Sequence, residues 1–410
     1  MDVNSAPHVG NRIREIRAWR DVPLRATAEL AGISPAYLSM IENGERSVQR
    51  RSTLEAIARA LRVSPTELGA LPMSGILDPE VAKALDSLVD VEAALTEVAL
   101  GEQTVAPRPW PVLAGDVDHL GSVLRPRGDV AAQMQLLPAL IRELNALLAT
   151  AQPDRRDVLE ALIYVLHSAA MAAKSVGAHG VPGLGALRMR EIAEELDEPR
   201  WHGLARFARA QTLASNGRER MRELSLDAAA DLQPHVGSDG VCTRLYGMLH
   251  LNAALASAAL DRGDDCAVHL DEATQIAEDV SELDDAGPIG FGERSFNGTN
   301  VRFWEVALAI ELGEPDRVPY LSEDIVPERM QSWTRQGAYF ADLGRALATT
   351  KAGRDEAVLA LVRAESLSPV ATRANVWVRE TVRDLLVRVK RDARVGRELR
   401  GMAYRMGLAA

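Results

Sequence analysis

The stretch LRATAELAGISPAYLSMIENGERS, residues 24–47, decides the fold of the first part of the chain. Its apolar residues recur at helical spacing in two short blocks, and Gly32 breaks the chain between them. Ser34 and Pro35 are residue types that cap and open a helix, and the Asn-Gly pair at 43–44 is typical of a helix end. The stretch therefore predicts two short helices joined by a tight turn.

Helical spacing continues on both sides of this stretch. Apolar residues at 13, 16 and 19 predict a helix before it, while those at 54–61 and the capping sequence SPTE at 64–67 predict two more after it. Five short helices, two of them joined by a tight glycine turn, describe a helix-turn-helix domain. We place this domain at residues 10–71.

Residues 24–68 resemble the Xre (Cro/C1-type) helix-turn-helix family along their whole length. The resemblance is carried by the turn AELAGIS at 28–34, the run YLSMIENG at 37–44 and the helix LEAIARAL that follows them. It implies a domain that binds a double-stranded DNA operator. It also implies that Asn43 and Arg46 meet the DNA backbone at the end of the recognition helix.

Charge is unevenly distributed along the chain. Residues 10–62 hold ten Arg and six acidic side chains, a net charge of +4, whereas the whole chain carries −11 and the remainder therefore −15. A small basic domain on a large acidic body favours binding of specific DNA sites over coating of nucleic acid. Residues that flank the recognition helix can contact phosphates and supply most of the affinity. The candidate phosphate-binding residues are Arg12, Arg14, Arg25, Asn43, Arg46, Arg50 and Arg51.

The predicted recognition helix carries side chains that discriminate weakly between bases. The residues that project from its first two turns are Ser34, Pro35, Ala36, Tyr37, Ser39 and Met40. Serine can bond to donors or acceptors and the apolar side chains can contact thymine methyls, but none makes the bidentate contact of Arg with guanine. The one charged residue of the helix, Glu42, would repel phosphates. We therefore expect a homodimer that reads two spaced half-sites, aided by DNA shape.

Residues 72–116 are predicted to connect the first domain to the rest of the chain. Pro72, Gly75 and Pro79 punctuate the start of this connection, and an apolar stripe over 78–100 predicts a long helix within it. A Pro-rich segment then leads into the body. The apolar stripe can pack either on the body or against a second copy of the chain.

Residues 117–410 are predicted to form a body of helical repeats. Long helical patterns alternate with short breaks rich in Gly, Pro or Asp, and no convincing strand pattern is present. The segment LGRALATTKAGRDEAVLALVRAESLSP at 343–369 resembles a tetratricopeptide repeat, and 252–279 resembles one more loosely; an irregular helical bundle is the alternative. Such repeats stack into a superhelix whose concave face binds ligands. The predicted fold class is all-α, a helix-turn-helix domain followed by a tetratricopeptide-like solenoid.

The order of the two domains resembles a group of actinobacterial transcriptional regulators, to which residues 291–315 and 378–388 also look similar. In layout alone it is similar to peptide-pheromone-responsive regulators. The resemblance implies a regulator whose operator binding responds to a small molecule or a peptide. The N-terminal sequence MDVNSAPHVG lacks a signal-peptide pattern, so we expect the protein to stay in the cytoplasm. The residues with polar or aromatic groups suited to such a ligand are Tyr246, His250, Asn252, Asn297, Asn300, Arg302 and Trp304. We expect the first three on one helical face; for the others a helix cap and core packing are the alternative.

The sequence contains no pattern typical of catalysis, metal binding or membrane insertion. It lacks a G-x-x-x-x-G-K-[ST] phosphate loop, an H-E-x-x-H helix and a nucleophile elbow, and its cysteines and histidines fit no zinc spacing. The most apolar run, 247–260, is shorter than the roughly 20 residues that span a bilayer. We therefore expect no enzyme activity, cofactor, metal or membrane. The rival interpretations are a DNA-binding scaffold without a small-molecule effector and an enzyme with a vestigial DNA-binding domain.

Overall fold

The structure is a computed structural model that describes residues 8–69, 78–97, 99–150, 154–213, 217–280, 296–389 and 394–408. Every regular element in these ranges is helical, so the predicted all-α fold class is confirmed. The helices are α1 (Val9–Trp19), α2 (Leu24–Leu30), α3 (Pro35–Glu42), α4 (Arg51–Ala60), α5 (Pro65–Gly69), α6 (Pro79–Glu97), α7 (Trp110–His119), α8 (Val130–Leu147), α9 (Arg155–Ser175), α10 (Val181–Leu196), α11 (Pro199–Thr212), α12 (Arg218–Leu232), α13 (Gly240–Ala259), α14 (Gly263–Asp279), α15 (Gly298–Glu311), α16 (Val318–Ser322), α17 (Trp333–Leu347), α18 (Arg354–Leu367), α19 (Pro369–Ala374), α20 (Val376–Arg388) and α21 (Arg394–Arg405).

Helices α1 to α5 form a small domain around a core of their own. The tight turn between α2 and α3 has Gly32 in the left-handed region at φ 66°, where a residue without Cβ is free of strain. The Ser34 side chain accepts a hydrogen bond from the Tyr37 backbone N–H over 3.1 Å, and Pro35 is the first residue of α3. Leu38 and Ile41 of α3 are buried in the core. The predicted start of the recognition helix is therefore confirmed.

Helices α8 to α15 form an array in which each helix packs on the next one along the chain. Alternate helices α9, α11, α13, α15 and α17 also pack side by side and form one layer of the array. Stacked helix pairs of this kind make a solenoid-like body. The helical-repeat architecture is thus confirmed, whereas its assignment as tetratricopeptide repeats stays a prediction.

The segment at 343–369 lies within the closely packed pair α17 and α18. A Cβ on Gly344 of α17 would come within 2.7 Å of Leu361 and 3.0 Å of the Ala357 carbonyl oxygen, so the two helices approach through this glycine. Helix α17 starts at Trp333, earlier than the sequence pattern indicated. The small residues of the pattern do mark the contact between the helices.

The long helix predicted in the connection, α6, packs on the body. Val81, Ala84, Val91, Ala94 and Leu95 are buried in the main hydrophobic cluster, and α6 contacts α8. Of the two alternatives for its apolar stripe, packing on the body is the one that the structure has. Pro72 and Gly75, together with the rest of 70–77, lie outside the described residues.

The helical array curves until its last helices meet its first ones. Helix α19 contacts α6, α8 and α9, and its residue Val370 belongs to the main hydrophobic cluster. Arg373 of α19 forms an ion pair with Asp78 at 2.7 Å. The Trp333 backbone N–H, at the start of α17, donates to the Pro126 carbonyl oxygen over 2.7 Å. The layer of alternate helices therefore has a concave inner face. We call this face the inner groove; it carries Lys174 of α9, Asn252 of α13 and Arg335 of α17.

Within the described part of the chain, one helix has the length and composition to cross a membrane. This helix is α9, and 78% of its most apolar window is buried inside the fold. The sequence pattern pointed instead to 247–260, which lies in α13. Helix α9 contains Arg155, Arg156 and Lys174 and packs between α8 and α10, as the core helix of a helical array does.

Gly247 of α13 lies directly against the buried ring of Phe296. A Cβ at this position would overlap the aromatic ring, so we expect Gly247→Ala to lower the free energy of unfolding by about 1–3 kcal/mol. A Cβ on Gly183 of α10 would meet no atom within 4 Å. Gly183→Ala should therefore raise the free energy of unfolding by about 0.5–1 kcal/mol, because alanine restricts the unfolded chain more than glycine does. Denaturant unfolding of both variants measures the difference. Equal effects would mean that Phe296 does not pack on α13 in this way.

Candidate nucleic-acid interface and inner groove

The residues predicted to read bases lie on or near the accessible side of α3. Ser34, Pro35 and Ala36 are exposed, whereas Tyr37, Ser39 and Met40 are half-buried. Leu38 and Ile41 point the other way, into the core. The first turns of α3 thus present a small, weakly polar surface.

Glu42, the one charged residue of the recognition helix, is buried and paired within the domain. Its carboxylate accepts hydrogen bonds from Arg17 Nε at 2.8 Å and from Arg17 Nη2 at 2.9 Å. Arg17 also donates to the Val22 carbonyl oxygen over 3.0 Å. The hydrogen bond to Glu42 raises the pKa of Arg17. Glu42 is therefore neutralised inside the domain and does not oppose DNA phosphates.

Two of the candidate phosphate-binding residues form exposed ion pairs. Arg12 pairs with Glu15 at 3.3 Å, and Arg25 pairs with Glu29 at 2.9 Å, each along its own helix. Exposed pairs of this kind contribute little stability because solvent screens them. Both guanidinium groups can therefore exchange their carboxylate for a phosphate at small cost.

Arg14 and Asn43 lie at the C-terminal end of α3. Arg14 donates a hydrogen bond to the Glu42 backbone carbonyl oxygen, and Asn43 caps the helix with its side-chain amide 3.4 Å from Glu45. Both side chains are exposed. Their position fits the contact with the DNA backbone that the family resemblance implies.

The remaining candidates, Arg46, Arg50 and Arg51, lie on the side of the domain that faces the body. Arg46 lines a narrow cleft whose other wall is α20. Arg50 Nε donates to the Glu311 backbone carbonyl oxygen over 2.8 Å, and its Nη2 pairs with Asp261. The body thus occupies Arg50, one of the residues predicted to bind phosphates.

The start of α4 is the centre of this docking contact. Glu311 Oε1 accepts the Ser52 backbone N–H over 3.2 Å, at the end of α15. Glu55 of α4 accepts hydrogen bonds from Arg218 of α12 at 3.0 and 2.6 Å. Glu55 is only 5% exposed, and this burial raises its pKa in spite of Arg218. The docked domain therefore holds a carboxylate that depends on one arginine of the body.

A second docking contact involves α20 and the start of α1. Glu380 of α20 accepts the Val9 backbone N–H over 3.3 Å, and burial raises the pKa of Glu380 to about 7. Val376 and Trp377 pack against the core of the small domain. The docking surface thus combines hydrogen bonds with a limited apolar patch.

A row of polar side chains, contributed by alternate helices, crosses the inner face of the body. The row consists of Lys174 (α9), Gln211 (α11), Asn252 (α13), Asn300 (α15) and Arg335 (α17). Lys174 donates to the Gln211 amide oxygen, and the Gln211 amide donates to Asn252. Arg335 Nε donates to Asn300 Oδ1 over 2.9 Å, and its guanidinium lies 5.4 Å from the centre of the Trp304 ring. Amides and cations therefore line the inner groove.

The prediction that Tyr246, His250 and Asn252 share one helical face is wrong. Tyr246 O–H donates to Glu272 of α14 over 2.9 Å, and the His250 ring lies 4.6 Å from the Tyr246 ring. Asn252 is on the other side of α13, towards α11. Two positions along a helix rotate a side chain by about 200°, which separates residues 250 and 252. Only Asn252 of the three lines the inner groove.

Of the four candidate ligand-binding residues around the start of α15, two reach the inner groove and two do not. Asn297 caps the helix by accepting the Asn300 backbone N–H over 2.9 Å. Arg302 is exposed, pairs with Glu305 and donates to the Leu321 carbonyl oxygen over 3.1 Å. Asn300 and Trp304 are the two that reach the inner groove. The grouping of all four in one ligand site is therefore wrong, because α15 turns Arg302 outward.

Sequence reasoning missed Lys174, Gln211 and Arg335. Lys174 did carry a signal, since it interrupts the apolar run AAMAAKSVG at 169–177 in a chain with few lysines. Gln211 and Arg335 carry none, because Gln and Arg are frequent on exposed helix surfaces. Their role in the groove follows from packing alone.

The histidines and cysteines of the described residues make neither a metal site nor a reactive thiol. No group of three or more His, Cys, Asp or Glu side chains there is arranged to hold a metal ion. Cys242 and Cys266 are buried and unbonded to each other. Burial raises the pKa of Cys242 to about 12 and that of Cys266 to about 11, so both remain protonated thiols at neutral pH.

Comparison with known proteins identifies the small domain. Residues 8–71 match the family described as "Helix-turn-helix domain". The chain is 36% identical over 88 residues to the uncharacterized HTH-type transcriptional regulator Rv0474 of Mycobacterium tuberculosis (strain ATCC 25618 / H37Rv), a match that covers 22% of this chain and 61% of that protein. It is 35% identical over 54 residues to the HTH-type transcriptional repressor RghR of Bacillus subtilis (strain 168), covering 13% of this chain and 40% of RghR. The chain therefore spans less than two thirds of the length of the curated relatives it matches.

One solved structure resembles the chain more extensively but distantly. It is the crystal structure of ComR from S. thermophilus in complex with DNA and its signalling peptide ComS. The likeness covers 82% of this chain and 99% of ComR, with 13% identity and a TM-score of 0.29. At this TM-score the two chains do not superpose closely as whole molecules.

Replacing Arg17 should leave the buried Glu42 carboxylate without its ion-pair partner. We expect Arg17→Met to lower the free energy of unfolding by about 3 kcal/mol, because a buried charge then loses its partner. Arg12→Met is the matched control: it breaks an exposed pair on the same helix and should change stability by about 0.5 kcal/mol or less. Thermal unfolding of both variants measures the difference. If the two variants were destabilised equally, Glu42 would have to be solvated in the folded domain.

Proposed function

We propose that this protein is a sequence-specific DNA-binding transcriptional regulator. The observation that carries the proposal is that the N-terminal half of α3 is accessible in a basic helix-turn-helix domain. The one carboxylate of this helix, Glu42, is paired with Arg17 inside the domain. The match of residues 8–71 to a helix-turn-helix family, and the regulators among the relatives, support it. The proposal places the protein in the cytoplasm, where its DNA is.

The proposal includes a homodimer on DNA. Six small or apolar side chains on α3 discriminate bases weakly, because none makes a bidentate hydrogen bond to a base edge. Two copies at half-sites one helical turn apart would double the contacts and add discrimination by DNA shape. The apolar stripe of α6 is used within the body, so a dimer would form through another surface.

The proposal also includes control of DNA binding by the body. Arg50 donates from Nε to the Glu311 carbonyl oxygen and pairs through Nη2 with Asp261 of the body, so the side of its guanidinium that would bind a phosphate through two hydrogen bonds is occupied. Docking and DNA binding of the small domain therefore compete for this residue. A small-molecule or peptide effector in the inner groove shifts their populations only if it binds one arrangement more tightly.

The phosphate contacts can be tested by salt dependence. We expect replacement of Arg46, Arg50 and Arg51 by Ala to weaken binding to all DNA sequences and to reduce the slope of log affinity against log salt by about 0.9 for each phosphate that is no longer bound. The slope is the better measure, because weaker docking changes affinity without changing the number of phosphates bound. Arg59→Ala, an exposed change elsewhere on the domain, is the control. An unchanged slope in the triple variant would show that these residues do not bind phosphates.

The same titrations, repeated with Ser39→Ala and Met40→Ala, test the reading residues. These variants should alter the relative affinity for different sequences and leave the salt slope intact. Equal weakening on every sequence would exclude them as readers. A footprint of one half-site, bound by a monomer at full affinity, would argue against the dimer.

Control by docking can be tested at Glu55 and Arg218. Arg218→Ala leaves the Glu55 carboxylate buried and unpaired in the docked arrangement only. We expect DNA affinity to rise by about tenfold or more, because a stranded buried charge costs more than the ~1.4 kcal/mol that tenfold represents. Arg220→Ala, which breaks an exposed pair with Glu223 on the same helix, is the control. Equal DNA affinity of the two variants in a direct binding titration would mean that docking does not limit DNA binding.

A further inference from the structure

The inner groove contains cations without anionic partners. Among the described residues, Lys174 and Arg335 form no ion pair with any carboxylate: Lys174 bonds to the Gln211 amide, and Arg335 bonds to Asn300 and stacks on Trp304. Desolvated cations without counter-charges are unfavourable in a folded protein. Asp342 acts on Arg335 only from beyond ion-pair distance. Neither side chain therefore has its positive charge balanced by a carboxylate in direct contact.

The positive charges of Lys174 and Arg335 lie close enough to interact. The Lys174 side chain is exposed, but the surrounding helices reduce its solvation. This desolvation, together with the positive charges of Arg51, Arg218 and Arg335, lowers the pKa of Lys174 to about 7. Helices α9 and α17 are four steps apart in their layer, and at 8–10 Å for each step a flat layer would separate them by roughly 35 Å, well beyond the range of screened charges. The curvature of the array brings Lys174 and Arg335 together.

Two buried hydrogen-bond donors beside these cations also lack partners. Asn252 is fully buried, and its amide nitrogen has no acceptor among the described residues. Trp304 is 7% exposed, and its indole N–H has none in the same part of the chain. Buried polar groups are nearly always hydrogen-bonded, to protein, water or ligand. The groove thus presents donors and positive charge in one place, which is complementary to a group of anionic oxygens.

We propose that the inner groove binds an anionic ligand, a small molecule with carboxylate or phosphate groups, whose oxygens contact Lys174 and Arg335. This inference rests on the proposed function and names the chemical class of its effector. Arg51 belongs to the first turn of α4, and its positive charge acts on Lys174 from the docked domain. An anion beside Lys174 is therefore attracted by both domains at once and binds the docked arrangement more tightly. The ligand therefore stabilises docking and lowers DNA affinity.

The experiment measures thermal unfolding of the full chain with inorganic pyrophosphate and, separately, with citrate, each compared with sodium chloride at equal ionic strength. We expect a saturable rise of Tm in the wild-type protein. Lys174→Met and Arg335→Met should each weaken the apparent affinity by about tenfold or more, because each removes a charge-assisted hydrogen bond. Lys351→Met, which removes an exposed lysine in the turn before α18, should behave as the wild type.

The two probes distinguish the two chemistries. A response to pyrophosphate alone identifies a phosphate-bearing ligand, and a response to citrate alone identifies a carboxylate-bearing one. A wild-type protein that neither anion stabilises beyond chloride overturns the proposal. So does a response that is the same in Lys174→Met, Arg335→Met and Lys351→Met, because the anion would then bind elsewhere.

DNA affinity, measured in the same solutions, separates this inference from the proposed function. We expect the stabilising anion to lower DNA affinity in the wild type and to have no such effect in Lys174→Met. An anion that binds the groove and leaves DNA affinity unchanged would support the site and contradict control by docking. A third outcome is that a cell extract changes the DNA affinity of the wild type and of Lys174→Met equally, while neither protein binds the anion. This result would support control of DNA binding by an effector and contradict the inner groove as the effector site.

Discussion

The structure depends on the closure of the helical array, in which α19 packs against α6, α8 and α9. A stack of helix pairs has two ends, and each would otherwise expose apolar surface to water. Val370 enters the main hydrophobic cluster and Arg373 pairs with Asp78, so the end of the array covers its beginning. Because the array closes, its inner face becomes a groove in which helices distant in sequence face one another. The docking of the small domain and the chemistry of the groove both follow from this shape.

Closure also creates the surface on which the small domain docks. Four helices that are separated in sequence contribute to it, through Arg218 of α12, Glu311 of α15, Arg345 of α17 and Glu380 of α20. Most of these contacts are hydrogen bonds and ion pairs, around an apolar patch formed by Val376 and Trp377. Polar interfaces between domains are typical of arrangements that open and close. An interface of this kind is consistent with the proposed competition between docking and DNA binding.

The arginines of the small domain are in three different electrostatic situations. Arg17 is neutralised by a buried carboxylate, Arg12 takes part in an exposed ion pair, and Arg50 is bound to the body. Their number in the sequence is therefore larger than the number of unpaired positive charges on the surface of the small domain. In the inner groove the balance is reversed, since Lys174 and Arg335 hydrogen-bond to amides and form no ion pair within the described part of the chain.

The sequence by itself determined the local structure: Gly32 in a left-handed turn and Ser34 as a helix cap act over a few residues, and regular apolar spacing was enough to predict an all-α fold. It also predicted the helix-turn-helix domain, since that pattern is contiguous. Only the tertiary structure decided which side chains meet across the body. Asn252 was assigned to the wrong face, and Lys174 and Arg335 were not connected at all, because their proximity depends on the curvature summed over many helices. The array closes because each pair of neighbouring helices is slightly rotated and the rotations accumulate along the chain. No short stretch of sequence contains this information, because it depends on the packing of every pair.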